Sequence, residues 1–355
     1  MDGIDAVLVD FNQHPVNLIA DVCHPWKETT AQKLRLLFSP KDNEIERLGE
    51  ADGLVAMAFA EAVDLLLKKT NIPASRITAI GSHGQTIRHH PNRNPAFSLQ
   101  IGDPNRLASL TNIPVIADFR RKDIALGGQG APLVPAFHAW LFHQKTLNQA
   151  VLNIGGIANL TLLSKNKEQI KGFDTGPGNR LLDDWIAYSL NKKYDDQGAW
   201  AKTGHVYLPL LDLMLNDPYF KQKIPKSTGF EYFNLTWLQQ KIAQFPTLKA
   251  EDIQATLSLL TVKTIANDLI QYLPDCGKLL VCGGGYRNQN MMQQLQKEFP
   301  NILIENTTQA GLDADMLEAV AFAWLARQYI KKQTGNIPAV TGASRAAILG
   351  IYCPP

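Results

Sequence analysis

The chain has 355 residues, 45% of them hydrophobic and 19% charged, so it is globular and longer than one hydrophobic core usually fills. Lys and Arg total 35 against 33 Asp and Glu, and the net charge of +2 provides no basic surface for nucleic acid or an acidic membrane. The four cysteines are too few for a disulfide framework, and no apolar stretch approaches the ~20 residues of a membrane helix. We expect a cytoplasmic protein of two domains with small-molecule ligands, and with neither nucleic acid nor membrane as a partner.

Hydrophobic periodicity predicts an order of strands and helices that is used twice along the chain. The predicted elements are, in chain order, strands over 6–11 and 16–21, a helix over 45–69, strands over 77–81, 97–101 and 115–118, a helix over 134–142, a hairpin of 151–154 and 160–163, helices over 180–190, 208–215 and 252–272, a strand over 279–282 and a helix over 313–331. A turn-rich segment at 125–132 separates the two series. This order predicts an α/β fold of two halves that face a cleft.

Three glycine-rich turns, each placed where an apolar run stops, are the strongest functional signal; they lie at 153–159, 173–179 and 283–288. Glycine has no Cβ, so main-chain N–H groups can converge on an anion, and several such turns suggest a cleft for a polyphosphate. Taken singly, a Gly-Gly pair is more often only a tight turn, and neither the P-loop nor the dinucleotide fingerprint is present. Asp174 lies in the middle turn, where α/β proteins commonly place chemistry. The pattern favours a nucleotide-dependent transferase.

Several segments, in one order over almost the whole chain, carry a more specific signal; they are 2–5, 81–86, 118–120, 127–133, 153–159, 173–179 and 340–343. They resemble those of the anhydro-N-acetylmuramic acid kinase family. The resemblance implies an actin-like, hexokinase-like ATPase of two ribonuclease-H-type domains, here 1–124 completed by 344–355, and 125–343. It also implies the family's reaction, in which water opens the anhydro bridge of 1,6-anhydro-N-acetylmuramic acid from cell-wall turnover and the ATP γ-phosphoryl moves to O6.

The resemblance assigns site residues one by one. Asp174 matches the catalytic base, and Glu318 matches a glutamate that approaches the active site. The ATP-binding positions are Asp2, Gly3, Asp5, Gly155, Gly156, Asn159, Gly283, Gly284 and Gly285. The substrate-binding positions are His83, Gln85, Arg120, Gly130 and Asn179. Asp2 is also the carboxylate expected near Mg²⁺, so ATP as substrate and Mg²⁺ as cofactor are both implied.

The residue types alone leave structural alternatives open. Asp174 could instead be a turn or N-cap aspartate, and His83 a core or turn histidine. Arg120 could hold the lactyl carboxylate of the sugar or pair with a neighbouring acid. A carboxylate at Glu318 in an apolar helix costs several kcal/mol unless it faces a partner or a wet cleft. The His89-His90 pair lacks a third ligand at useful spacing, so we expect a loop pair there, not a zinc site.

The sequence leaves three functions open: the anhydro-sugar kinase, a kinase of the same fold acting on an ordinary sugar hydroxyl, and an inactive ATP- or sugar-binding regulator. Relatives have an extra strand and a Gly-Thr-Ser turn ahead of the segment 2–5, and this chain starts inside that turn. The resemblance therefore predicts that the first N-terminal strand is missing, either because Met1 is an internal methionine of a longer protein or because the ATP site is damaged. The sequence also leaves a homodimer open.

Overall fold

The computed structural model describes residues 3–13 and 16–355, so Asp2 lies outside the described residues. The strands are β1 (Ile4–Asp10), β2 (Asn17–His24), β3 (Ile80–Gly81), β4 (Gln85–His90), β5 (Phe97–Ile101), β6 (Val115–Ala117), β7 (Gln149–Ile154), β8 (Ile157–Leu163), β9 (Lys171–Pro177), β10 (Lys278–Cys282), β11 (Leu303–Asn306) and β12 (Ile351–Cys353). The α-helices are α1 (Glu28–Leu37), α2 (Glu44–Thr70), α3 (Pro104–Thr111), α4 (Arg121–Ala125), α5 (Val134–Phe142), α6 (Arg180–Leu190), α7 (Leu208–Leu215), α8 (Leu235–Ile242), α9 (Ala250–Tyr272), α10 (Gln289–Glu298), α11 (Leu317–Ile330) and α12 (Pro338–Thr341). The mixed α/β class expected from the sequence is confirmed.

The chain divides into two compact units. The first combines the residues up to Phe137 with Met316–Pro355, and the second is the continuous stretch His138–Asp315. The chain passes from the first unit to the second within α5. The domain limits drawn from the resemblance, at 124/125 and 343/344, stay a prediction about functional domains.

The second unit contains a five-stranded sheet in the order β11-β10-β7-β8-β9. β7, β8 and β9 form an antiparallel meander, while β10 runs parallel to β7 and β11 parallel to β10. This is the strand order of a ribonuclease-H-type domain. The central strand β7 is buried along nearly its whole length, as expected of a strand covered on both faces. The long helix α9 is buried on most of its circumference and packs in the main hydrophobic core with the sheet.

The first unit holds shorter sheets among the described residues. β1 and β2 pair antiparallel, β4 and β5 form a second antiparallel pair, and β3, β6 and β12 form a three-stranded sheet. α11 packs against both β1 and β3. The 27-residue helix α2 is followed by Asn71 in the left-handed conformation, and the two lysines of its last turn suit the negative end of the helix dipole.

Three sequence predictions need correction. The helix expected from residue 313 begins at Leu317, because the Asp313 carboxylate accepts a hydrogen bond from the Asp315 N–H (2.8 Å) and forms a turn there. The strand expected over 77–81 is reduced to β3, which is the part that pairs with β6. The His89-His90 pair lies in strand β4, not in a loop, and His89 Nδ1 lies 3.0 Å from Ser98 Oγ on β5. No helix in the described ranges is long and apolar enough to cross a membrane.

Candidate active site

Two of the glycine turns of the second unit are joined by main-chain hydrogen bonds. The Asn179 N–H donates to the Gly155 carbonyl (2.8 Å), and the Gly178 N–H donates to the Gly156 carbonyl (2.9 Å). The Asn179 side-chain amide also donates to the Ile154 carbonyl (3.2 Å). A Cβ on Gly178 would collide with the Gly155 carbonyl oxygen, so the close approach requires glycine. The turn before α6 and the β7–β8 turn therefore form one hydrogen-bonded unit.

The third glycine turn, after β10, packs against the same place. Gly283 has φ +73°, and a Cβ there would lie 2.9 Å from the Ile154 carbonyl oxygen. A Cβ on Gly285 would lie 3.0 Å from that same oxygen. At Gly284, by contrast, the nearest atom to a Cβ would be Asn179 Nδ2 at 4.0 Å, so this glycine faces open space. The structure thus brings together three turns that are far apart in the sequence.

Asp174 lies in β9, opposite Asn159 of β8. Its N–H donates to the Lys226 carbonyl (3.1 Å), and its own carbonyl accepts from Tyr219 Oη (2.7 Å). The Thr228 N–H donates to carboxylate oxygen Oδ2 (3.0 Å). Asp174 is therefore no N-cap: the residue at the N-cap position of α6 is Asn179.

The electrostatic surroundings of Asp174 suit a base. Burial raises the pKa of Asp174 to about 6, while the Thr228 N–H and the Lys226 ammonium oppose that rise and the Glu231 carboxylate adds to it. A carboxylate with a pKa near 6 is ionised at neutral pH and is a stronger base than an ordinary aspartate.

In the first unit, Arg120 and His83 form a pair. Arg120 Nε and a terminal nitrogen lie 3.1 and 2.8 Å from His83 Nε2, and the other terminal nitrogen donates to the Gly130 carbonyl (2.8 Å). A guanidinium can only donate, so Nε2 of His83 accepts and the ring is neutral. Burial lowers the pKa of His83 well below its usual value, and the Arg120 charge lowers it further. The His83 ring packs against Phe322, with centroids 4.4 Å apart. Arg120 therefore bonds to neutral acceptors, not to a neighbouring acid.

Asp123, at the end of that contact network, is fully buried. Its Oδ2 accepts from the Gly130 N–H (2.8 Å), and its Oδ1 accepts from Asn336 Nδ2 (2.6 Å) and Thr341 Oγ1 (2.7 Å). Gly130 has φ +68°, in the left-handed region that favours glycine. Asp123 thus fixes the glycine whose carbonyl holds Arg120.

Glu318 lies in the first turn of α11 and has an exposed side chain. Partial desolvation raises its pKa, the Arg120 guanidinium opposes that rise, and the Asp5 carboxylate adds to it. Because water reaches the side chain, this desolvation is incomplete. Gly3 packs closely on β2, since a Cβ there would lie 2.6 Å from Cys23 Sγ. Asp5, Arg120 and Glu318 are therefore electrostatic neighbours within the first unit.

The site residues proposed from the sequence fall into the two units. In the second unit lie Gly155, Gly156, Asn159, Asp174, Asn179, Gly283, Gly284 and Gly285. In the first lie Gly3, Asp5, His83, Gln85, Arg120, Gly130 and Glu318. The roles assigned to all of these residues stay proposals. Gln85, at the start of β4, donates to the Thr86 carbonyl (3.3 Å) and shows no contact with His83 among the described hydrogen bonds.

Five residues that contact these sites carry no local sequence signal: Asp123, Tyr219, Lys226, Thr228 and Asp268. Each contacts a residue that is distant in the sequence, or makes its contact through a main-chain group. A lysine in the turn-rich stretch 224–229 resembles any surface loop lysine, although Lys226 is buried. Periodicity and spacing therefore could not have identified them.

The second unit has an α/β fold in which three glycine turns cluster, an arrangement that suits the binding of phosphate groups. A family model described as "Anhydro-N-acetylmuramic acid kinase" matches residues 1–355. The anhydro-N-acetylmuramic acid kinase of Shewanella denitrificans is 53% identical over 350 residues, which are 99% of this chain and 94% of that protein. The protein of the same name from Shewanella frigidimarina is 52% identical over 351 residues, again 99% of this chain and 94% of that protein. The chain belongs to the anhydro-N-acetylmuramic acid kinase family.

Among solved structures, the activator of the 2-hydroxyisocaproyl-CoA dehydratase from Clostridium difficile with bound ADPNP is similar over 90% of this chain and 91% of that chain. Its sequence identity is 13% and its TM-score 0.42.

Proposed function

We propose that the protein is an ATP-dependent kinase that opens 1,6-anhydro-N-acetylmuramic acid with water and phosphorylates O6. The products are N-acetylmuramic acid 6-phosphate and ADP, and the pathway served is peptidoglycan recycling. The observation that carries the proposal is the family membership over the full chain. The Asp174 carboxylate supports it, because the Thr228 N–H holds it on β9, in the same sheet whose strands end in the glycine turns.

In this proposal Asp174 is the general base. It accepts a proton from a water molecule as the water oxygen bonds to C1 of the sugar and the C1–O6 bond breaks. O6 takes up the γ-phosphoryl group of ATP, and ADP leaves. Asp174 Oδ2 is held by the Thr228 N–H, and in the part of the chain that the structure describes no hydrogen bond engages Oδ1. We therefore assign the attacking water to Oδ1.

The glycine turns supply the nucleotide contacts. Phosphoryl transfer leaves the protein mainly positioning and charge neutralisation, and main-chain N–H groups in glycine turns provide both. We assign the phosphates to the turn at Gly155 and Gly156, with Asn159 beside it. The turn formed by Gly283, Gly284 and Gly285 is assigned to the adenosine, and Gly284 leaves the open space that a ligand needs there.

Mg²⁺ belongs to the proposal as the usual partner of ATP. No group of three or more His, Cys, Asp or Glu side chains arranged for a metal occurs among the residues the structure describes. A nucleotide-bound Mg²⁺ needs only one or two carboxylates, because phosphate oxygens and water complete its shell. Asp5 and Glu318, which interact electrostatically, fit that requirement, and Gly3 and Asp2 precede Asp5 in the same segment. When bound, the ion neutralises phosphate charge.

The sugar contacts are assigned to His83, Gln85, Arg120, Gly130 and Asn179. Arg120 carries a full positive charge and donates to neutral acceptors, so its charge is available to the lactyl carboxylate of the sugar. Glu318 is the second carboxylate assigned to the reaction, as an acid-base or charge-positioning group. A cytoplasmic location and a homodimer stay predictions.

Asp174→Asn tests the assignment of the base. We expect kcat to fall by about 10²- to 10⁴-fold with little change in KM, because the amide keeps the shape but cannot accept the proton. ADP release in the presence of the anhydro sugar is the measurement, with N-acetylmuramic acid assayed in parallel to detect a kinase of an ordinary hydroxyl. The matched control is Asp212→Asn, an exposed aspartate of the same unit. An Asp174→Asn protein that keeps full turnover would exclude this mechanism.

A further inference from the structure

The segment 224–229 holds Asp174 from several directions. The Lys226 carbonyl accepts from the Asp174 N–H, and the Thr228 N–H donates to Oδ2. Tyr219, a little earlier in the chain, donates from its hydroxyl to the Asp174 carbonyl. The main chain and one carboxylate oxygen of Asp174 are therefore fixed by residues 45 to 54 positions later in the sequence.

Lys226 is a buried cation, and its side chain is 1% exposed. Its Nζ lies 2.9 Å from Oδ2 of Asp268 on α9 and donates to Oδ1 at 3.1 Å. The ammonium also lies 5.3 Å from the ring centre of Tyr219 and 5.9 Å from that of Phe173, the residue just before Asp174. A buried ion pair costs desolvation energy that apolar residues of similar volume would avoid. Its presence close to Asp174 therefore suggests a functional role and not only a contribution to stability.

Charged groups from the loop after Lys226 and from α9 surround Asp174. The Lys226 ammonium and the Thr228 N–H favour the ionised carboxylate, while Glu231 from the same loop opposes it. Asn159, opposite on β8, is uncharged. Asp268, on α9, acts on Lys226 and on the Tyr219 hydroxyl. Lys226 is therefore the cation that favours the ionised form of Asp174, and its ammonium lies over the ring of the preceding residue, Phe173.

We propose that Lys226, which is held by Asp268 and accepts through its carbonyl from the Asp174 N–H, is a positioning residue that keeps Asp174 ionised. The proposal rests on the proposed function, in which Asp174 is the base. Lys226 touches neither substrate nor nucleotide in this scheme and acts through Asp174 alone. Removal of the Lys226 charge should change the pH at which Asp174 ionises, but not the affinity for the sugar.

The test is the pH dependence of kcat in Lys226→Gln, where the amide keeps a donor for Asp268 but carries no charge. Loss of the cation raises the pKa of Asp174, so the acidic limb of the profile should move upward by about 1 pH unit. Below the limb kcat should fall about tenfold relative to the parent, and KM for the sugar should stay within a factor of about two. The matched control is Lys263→Gln, which removes the charge from a half-buried ion pair with Glu298 in the same unit.

A second variant separates this role from a purely structural one. Lys226→Met combined with Asp268→Leu replaces the ion pair with apolar side chains and leaves no unpaired buried charge. The double variant should fold and still show the displaced limb. A limb at the parental pH in folded Lys226→Gln and in the double variant would overturn the proposal, whatever the loss of kcat.

The pH profile of the parent protein shows whether the proposed function fails or only the role proposed for Lys226. If its kcat shows no acidic limb near pH 6, then Asp174 is not the base and the proposed function fails. If the parent shows the limb and Asp174→Asn abolishes turnover, but the Lys226 variants do not move the limb, then only the role of Lys226 is wrong.

Discussion

Asp174 must be ionised to accept a proton, so its pKa sets the lower pH limit of the reaction. Burial raises that pKa to about 6, above the usual value of an aspartate. We expect kcat to be constant above the limb and to fall by about tenfold per pH unit below pH 6, since protonated Asp174 is inactive. Initial rates of ADP formation from pH 5 to 8 measure this. A profile that stays flat down to pH 5 in folded protein would contradict it.

Arg120 makes a planar set of hydrogen bonds that lysine cannot reproduce. In Arg120→Lys the charge remains, but the contacts to His83 Nε2 and the Gly130 carbonyl are lost together. We expect KM for the anhydro sugar to rise by about 10- to 100-fold, with a smaller change in KM for ATP. The control is Arg121→Lys at the next, more exposed position, which should behave as the parent. Equal KM values in both variants would remove Arg120 from the sugar site.

A single site residue can be predicted from the sequence when the residues that define its role are its neighbours in the chain. Asp174 and the glycines could be proposed because each lies in a local motif that ends an apolar run. Lys226 could not, because its burial comes from Asp268 and two aromatic rings that only the fold brings near it. Asp123 could not be identified for the same reason, since its two side-chain partners, Asn336 and Thr341, are more than 200 residues later.

The turn after β10 offers a comparison between neighbouring glycines. Gly283 has a positive φ and no room for a Cβ, whereas Gly284 faces open space. We expect Gly283→Ala to lower the free energy of unfolding by about 1–3 kcal/mol, through strain and overpacking, and Gly284→Ala to change it by less than about 0.5 kcal/mol. Thermal unfolding without ligand measures the difference. Equal losses in the two variants would mean that the turn has no close contact with Ile154.

Elements with a strong period were predictable almost to their ends, as α2, α6 and α7 illustrate. Element ends that depend on distant partners were not. Residues 77–79 have the apolar composition of a strand, but the pairing with β6 begins only at Ile80. The start of α11 was placed too early because the turn at Asp313 takes up main-chain donors that a helix would use.

The first unit is built from two separate parts of the chain, and Asp123 joins them. Its carboxylate binds side chains at 336 and 341 as well as the main chain of the 127–130 turn. We expect Asp123→Ala to lower the free energy of unfolding by about 3 kcal/mol, because buried donors would be left without partners. Urea unfolding, with limited proteolysis near residue 336, is the measurement. Asp64→Ala, which removes an exposed pair within α2, should cost little, and parental stability of Asp123→Ala would refute the link.

The continuity of the second unit has a consequence for biosynthesis. All of its residues, 138–315, are synthesised before Met316–Pro355, so its sheet can begin to form while translation proceeds. The earlier part of the first unit must wait as a partly assembled nascent chain until α11 and the partners of Asp123 emerge. Chaperones that bind exposed apolar surface should therefore engage the amino-terminal part of the polypeptide for longer than the middle.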